Sequence, residues 1–370
     1  MFGMKITGIG CYVPERVVTN SEIAEILKSR LVDYQNHGKI GTFTFSKGQE
    51  QFESDAQWIE ERTGIKERRF ADNGNATSDL AVRAAQAALN NAGLNKKAVQ
   101  FIIVATTTPD HHATPPTAAL VQHKLEIPAN EANGSLLREV AVFDVSVACS
   151  SFIKALALAY GLIRSGLYKA GLVIGADVVS RMISWNDRAI FPLLGDGAGC
   201  FVVEQTSSNE DQFGPNNFYL GADGSLSDLI EVPVGGSLWP ITVETLTNPF
   251  DQNHTIKMKG KEVFKIAVSL IANKIIPSAL RKADVSIDSI DAIVFHQANL
   301  RIINAAVERL GYNGIVHNNI ERYGNTTSAS IPLCLNEALE VGKIKPSMRV
   351  LMVVFGGGFT WGTALFRCEL

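Results

Sequence analysis

Residues 139–166 read EVAVFDVSVACSSFIKALALAYGLIRSG. An apolar, strand-like run stops at a small residue, a single cysteine and two serines. A helical pattern then opens with Phe152, Leu156, Ala159 and Ile163 on one face. A strand passing into a helix across a tight turn is the building unit of an α/β protein. Downstream, AGLVIGAD (170–177) and GAGCFVVEQ (197–205) read as further strands. Upstream, SDLAVRAAQAALNNA (78–92) predicts a helix capped by Ser78 or Asp79 and stopped at Gly93, followed by the strand VQFIIVATTT (99–108).

The same order recurs roughly 180 to 190 residues later. IDAIVFHQA (290–298) answers VQFIIVATT, and the helix NTTSASIPLCLNEALEVG (325–342) answers the one after the cysteine. RVLMVVFGGG (349–358) answers AGLVIGAD, and WGTALFRCEL (361–370) answers GAGCFVVEQ. One α/β unit is used twice, with the break in the polar, turn-rich stretch 207–217, so halves are expected at 1–207 and 208–370. Two segments read as additions: the polar residues 29–53, and 127–139, expected as an exposed loop. Between the first addition and the repeat, Ser54 and Gln57 form an expected capping box for a short helix carrying Trp58.

Composition narrows the function. The chain has 370 residues, 46% hydrophobic, and a formal charge of -3, which gives no basic footprint for nucleic acid. No apolar run reaches the ~18 residues of a membrane span, and the first residues lack the charged and apolar regions of a secretory signal. The five cysteines are scattered, with no C-x-x-C pair, which favours a reducing cytoplasm over disulfides or structural zinc. His111 and His112 have no acidic or sulfur partner at ligand spacing, so no metal is expected.

Four features carry chemistry. An isolated cysteine is by default a core residue, but Cys149 stands at a helix start. Backbone N–H groups and the helix dipole there favour a thiolate, so its pKa is expected to fall, and the same amides can hold an oxyanion. His296 ends a strand, where open α/β sheets build their sites. Asn325 precedes a helix and would otherwise be an N-cap. Residues 353–362, VVFGGGFTWG, put three glycines after a strand, where a backbone can approach a ligand closely.

Together these resemble the β-ketoacyl-acyl-carrier-protein synthase III group of thiolase-like condensing enzymes. The motifs WIEERTGIKERR, DVSVACSSF, GDGAG, HQANLRI, YGNTTSAS and FGGGFTWG occur in that family's order, from ITGIGCYVPERVVTN to the last strand. The resemblance implies a five-layered αβαβα fold of two similar halves, a homodimer, and a decarboxylative condensation of an acyl-CoA primer with malonyl-acyl carrier protein. It makes Cys149 the nucleophile and the N–H groups of Cys149 and Gly357 the oxyanion hole. His296 and Asn325 become the donors to the malonyl thioester. Thioesters are the substrates, and no cofactor is implied. Trp58 and Arg188 match a pair that sandwiches the adenine of CoA. Arg62, Thr63, Ala298 and Asn299 match further CoA contacts, while Lys261 replaces a usual asparagine. Lys265 and Arg301 match positions that receive the acidic carrier protein. Thr114 and Leu194 stand where aromatic residues often limit the acyl pocket, so a primer longer than acetyl is expected. Alternatives on the same scaffold are a dialkylresorcinol-type enzyme joining two long acyl chains, a thiolase or hydroxymethylglutaryl-type synthase, and acyl transfer without condensation. Outside it stand a non-catalytic acyl-binding protein and a papain-like hydrolase.

Overall fold

The computed structural model describes residues 1–37, 56–127, 139–185, 187–247 and 254–370. Ser54 of the expected capping box and most of the 29–53 and 127–139 segments lie outside these residues. Where the segments are described, helix α1 (Asn20–His37) runs into the first of them, and one expectation is corrected: Ile127, at the start of the expected exposed loop, is buried.

Two five-stranded sheets organise the chain. The first contains β1 (Gly3–Tyr12), β2 (Phe101–Ala105), β3 (Ala141–Val145), β4 (Ala170–Asp177) and β5 (Gly197–Thr206), in the order β1-β5-β4-β2-β3. The second contains β6 (Phe218–Ala222), β7 (Ala292–Phe295), β8 (Ile315–Val316), β9 (Arg349–Gly356) and β10 (Thr360–Arg367), in the order β8-β7-β9-β10-β6. Each has three parallel strands followed by two antiparallel ones, so the two sheets share one topology. The central strand β4 is buried along its whole length, which explains its unbroken apolar sequence.

Alternation along the strands divides the core into layers. In β4 and β5, Val173, Phe201 and Val203 face inward. There they pack with α5 (Ser151–Arg164), with α8 (Ser330–Glu340), and with Val294, Met352 and Val354 of the second sheet. Their neighbours Leu172, Ile174, Cys200 and Val202 face outward onto α3 (Thr77–Ala92) and α4 (Thr117–Lys124). On the far side, Ile293, Leu351 and Val353 meet α6 (Gly260–Ala283) and α7 (Leu300–Leu310). The succession is helix, sheet, helix, sheet, helix, as expected for a thiolase-like fold.

Helix α3 starts two or three residues earlier than the sequence reading places it. Ala76 is its N-cap and Asp79 accepts a hydrogen bond from the Ala76 N–H at 2.8 Å, while Ser78 instead donates to Asp110; Gly93 ends it in the left-handed conformation as expected. Helix α6 is long and apolar enough to cross a membrane by length and composition, although Lys265 and Lys274 interrupt its apolar residues. Half of that stretch is buried, with Ala267, Ile271, Ile275 and Ile276 packed on the second sheet. A π-helical turn at Ile271–Ile275 ends two residues before Pro277, whose missing N–H breaks regular α-helical bonding.

Phe152, Leu156, Ala159 and Ile163 are all fully buried on the face of α5 that the sequence marked. Truncation there leaves a cavity that the two flanking sheets cannot close. Leu156→Ala is expected to destabilise the fold by about 2–5 kcal/mol, measured as a fall in the denaturant midpoint; a change below ~1 kcal/mol would show that α5 is not clamped between the sheets.

Candidate active site

The turn between β3 and α5 is built by its serines. Ala148 takes φ +47°, a left-handed conformation, and projects Cys149 at the helix start. The Val147 N–H donates to Ser151 Oγ at 2.7 Å, and Ser151 Oγ donates to the Ala148 carbonyl at 2.6 Å. Ser150 Oγ donates to the Val147 carbonyl at 2.9 Å and lies 2.7 Å from Thr360 Oγ. Both serines are fully buried, whereas Cys149 is half-buried. The serines are therefore structural, and the thiol is the reactive group of CSS.

Gly356 closes over this turn. A β-carbon on it would stand 2.8 Å from the Cys149 amide nitrogen, so only glycine fits. Gly357 packs against Ala148, and its carbonyl accepts from Thr360 Oγ at 3.2 Å. Gly357, expected as an oxyanion donor, lies beside this turn without lining the cavity, whereas Gly356, which the sequence reading did not single out, does line it.

His296 follows β7 and is buried, its backbone N–H donating to the Val353 carbonyl at 2.8 Å. Its Nδ1 lies 2.6 Å from Ser330 Oγ at the start of α8, and Phe355 meets the ring edge-on. Ser330 was missed because nothing in a helical sequence marks which residue faces a strand end. Burial lowers the His296 pKa to about 3, so the imidazole is neutral at physiological pH. The tautomer follows the serine. When Ser330 donates to Nδ1, Nε2 carries the proton; when Nδ1 donates, Nε2 can accept one.

Asn325 is gripped by backbone on both sides. Its N–H donates to the Leu193 carbonyl at 2.7 Å, and its carbonyl accepts from the Gly195 N–H at 3.1 Å. Gly324 takes φ +64° directly before it, where a β-carbon would lie 2.7 Å from Leu193 O. The Thr327 N–H donates to Asn325 Oδ1 at 2.9 Å, leaving the Nδ2 donors for other partners. In GDGAG, buried Asp196 accepts from the Ala71 and Ser180 N–H groups, each at 2.8 Å. It thereby ties the Leu193–Gly195 loop in place.

Cys149, His296, Asn325 and Gly356 line one cavity of about 510 Å³. Its mouth carries Trp58, Arg62 and Thr63 of α2 (Ala56–Thr63), together with Arg188, Lys261, Ala298, Asn299 and Arg301. The Arg188 guanidinium lies over the Trp58 indole, 3.9 Å from the ring centroid. Burial and the neighbouring Arg62 charge lower the Arg188 pKa, the mark of cations held close together. Asn299 caps α7 by accepting from the Arg301 N–H at 2.9 Å and reaches back to the Arg62 carbonyl at 3.1 Å, fixing α2 against α7. Thr63 Oγ donates to the Ile59 carbonyl at 2.6 Å and so ends α2. The apolar wall, Pro192, Leu193, Ile230, Met258, Val263 and Phe355, carried no signal in the sequence.

Besides Gly357, three expected site residues fall elsewhere. Thr114 is exposed and does not line the cavity; Leu194 is buried in a separate cluster with Ile59 and Ile190; Lys265 is exposed on α6 outside the cavity. The expected widening of an acyl pocket therefore does not follow from Thr114 and Leu194. Cys200, Cys334 and Cys368 are buried core residues, as expected.

The expected acidic thiol is also corrected. Burial, reinforced by the Asp177 charge, pushes the Cys149 thiol up to about 12, outweighing the favourable helix start. With imidazole and thiol both neutral at pH 7, the resting pair is not a thiolate–imidazolium ion pair. Since thiolate content grows with pH up to a raised pKa, Cys149 alkylation by iodoacetamide is expected to accelerate about tenfold per pH unit between pH 7 and 9.5. A plateau below pH 8 in that titration would contradict the neutral assignment.

Comparison with known proteins places this geometry. The family model for 3-oxoacyl-[acyl-carrier-protein] synthase III matches residues 143–224, and its C-terminal counterpart matches residues 280–368. The chain is 40% identical to the β-ketoacyl-[acyl-carrier-protein] synthase III of Natranaerobius thermophilus, covering 99% of this chain and all of that one. The crystal structure of the 3-oxoacyl-[acyl-carrier-protein] synthase III of Aquifex aeolicus superposes with a TM-score of 0.79 at 37% identity, over 99% of this chain and 100% of that one. That of Pseudomonas aeruginosa gives a TM-score of 0.80 at 30% identity, over 100% and 99% of the two chains.

Proposed function

Because the chain belongs to the β-ketoacyl-[acyl-carrier-protein] synthase III family, we propose that the cavity joining Cys149, His296 and Asn325 is its condensing centre. The protein is an acyltransferase of fatty acid biosynthesis that condenses an acyl primer with malonyl-acyl carrier protein and releases CO₂. The observation that carries the residue assignment is the convergence of one thiol, one neutral imidazole and one pinned carboxamide on a single cavity.

In the first half-reaction, Cys149 attacks the carbonyl of an acyl-CoA. A thiol with a raised pKa must lose its proton as it attacks, and His296 Nε2 is the acceptor when Nδ1 donates to Ser330. The N–H groups of Cys149 and Gly357 hold the tetrahedral oxyanion. Collapse returns the proton to the departing CoA thiolate and leaves an acyl-Cys149 thioester. Malonyl-acyl carrier protein then binds, and loss of CO₂ places the bonding electrons on an enolate. Once the ring has exchanged protons with solvent to the tautomer in which Ser330 donates to Nδ1, His296 Nε2–H and Asn325 Nδ2–H donate to the enolate oxygen, an interaction worth about 3 to 4 kcal/mol per donor. The enolate carbon attacks the acyl-Cys149 carbonyl; the β-ketoacyl thioester leaves, and the released thiolate takes up one proton from solvent, the proton that the overall reaction consumes.

At the mouth, Trp58 and Arg188 are assigned to the adenine of CoA. A sandwiched adenine takes the place of the direct cation–π contact and exchanges it for two stacked faces. Arg62 supplies positive charge for phosphate, and Thr63, Ala298 and Asn299 flank the pantetheine arm. Arg301 at the mouth, and Lys265 one turn beyond Lys261 on α6, receive the acidic carrier protein. The thioesters are substrates, and this chemistry calls for no cofactor. A homodimer fits the edge strand β3, whose Phe143 is exposed.

The test separates the half-reactions. Cys149→Ala is expected to abolish formation of the acyl adduct seen by intact mass. His296→Ala and Asn325→Ala are expected to reduce CO₂ release from malonyl-acyl carrier protein by about 100-fold or more. Primer loading with no CO₂ release in the wild-type protein would refute condensation.

A further inference from the structure

The mechanism leaves one buried carboxylate unused. Asp177 ends β4 and is completely buried. Its Oδ1 accepts from Thr106 Oγ (3.0 Å), from the Thr107 N–H and Oγ (2.7 and 2.9 Å), and from the Thr108 N–H and Oγ (3.1 and 3.0 Å). This explains the three threonines that close VQFIIVATTT. Its Oδ2 crosses to the other half of the chain, accepting from Thr327 Oγ and, at 3.0 Å, from the Ser328 N–H. Backbones touch at the same place: a β-carbon on Gly175 would lie 2.3 Å from the Ser328 carbonyl oxygen.

Thr327 stands at φ +46°, a conformation that a β-branched residue adopts only when its surroundings impose it. In that conformation its N–H reaches Asn325 Oδ1. Without the bond from its hydroxyl to Asp177, Thr327 is free to return to negative φ and withdraw that N–H. The carboxamide could then flip and present an oxygen lone pair to a developing enolate, which is repulsive. We propose that Asp177 is a positioning residue for condensation: it fixes the left-handed Thr327 turn and thereby the Asn325 amide as a donor. The inference rests on the donor role assigned to Asn325. A second observation gives it an independent signature, since the Asp177 charge also helps keep the Cys149 thiol neutral.

The experiment compares Thr327→Val, Thr327→Ser, Asp177→Asn and Asn325→Ala in the full chain. It reads primer loading on Cys149 by mass and CO₂ release from malonyl-acyl carrier protein. Thr327→Val is expected to slow CO₂ release about 10- to 100-fold while loading stays within about twofold, and Thr327→Ser to restore it. Asp177→Asn is expected to slow CO₂ release and to raise Cys149 alkylation at pH 8 roughly tenfold, because a like charge is removed. If Asn325→Ala loses CO₂ release but Thr327→Val keeps it, the inference is overturned and the donor role stands. If Asn325→Ala releases CO₂ normally, the donor role itself is wrong and the inference falls with it. Parallel loss of loading and CO₂ release in Thr327→Val marks general damage and also overturns it. Should Asp177→Asn not fold, Thr327→Val decides.

Discussion

Two helices buried between two sheets set the terms for everything else in this molecule. Helices α5 and α8 lie in the central layer, with strands of both sheets packed against them. Each can enter that layer only through a tight turn next to its own sheet. Those turns therefore carry short, hydrogen-bonded residues, and they open where strand ends of the opposite sheet arrive. Cys149 precedes α5 and Asn325 precedes α8, while His296 and the glycine run come from the ends of β7 and β9. The reacting groups meet because the central helices share one layer, and the apolar packing of that layer holds them together.

The same burial governs the electrostatics. Apolar walls disfavour new charge on either group, and the Asp177 carboxylate adds to this for the thiol alone, which is why imidazole and thiol both rest neutral. For this reaction neutrality has consequences in two directions. An imidazolium would be a strong donor but could not accept the thiol proton; a neutral ring can do either, according to which nitrogen carries its proton, and the Ser330 hydroxyl can partner Nδ1 in both tautomers. The low dielectric that raises the thiol pKa also strengthens each hydrogen bond to an oxyanion. Deprotonation is thus confined to the moment of attack, when the substrate carbonyl and the amides at the α5 turn are in place to receive the charge.

Much of this was legible in the chain. Strands such as AGLVIGAD and the amphipathic face of α5 follow from local pattern, and the repeat revealed the shared sheet topology. The motifs around Cys149, His296 and Asn325 identified the residues that line the cavity. What the sequence hid was set by tertiary packing. Position after a strand could not show whether Gly356 or Gly357 presses on Cys149, because both are glycines in one run. Thr114 and Leu194 were assigned to an acyl pocket from alignment of motifs, but one is exposed and the other packs in a neighbouring cluster. The direction of the Cys149 shift was misread because a helix start is a local feature, whereas burial and the Asp177 charge arise from distant parts of the chain.

The duplication also explains why the two turns do different chemistry. The same spacing separates Ala148 from Thr327, Cys149 from Ser328, and Asp177 from Gly356. Ala148 and Thr327 share the left-handed backbone, at φ +47° and +46°, so the repeats preserve one strained turn before each central helix. What faces the turn differs. Opposite the first stands Gly356, which leaves the Cys149 amide and sulfur open to a substrate. Opposite the second stands Asp177, which occupies the equivalent space and binds both the Thr327 hydroxyl and the Ser328 amide. A glycine at one strand end clears room for a nucleophile, and a carboxylate at the matching end locks its counterpart as scaffold. From a symmetric frame, that single exchange yields one reactive turn and one fixed turn, and the fixed turn holds the asparagine that the reactive one requires.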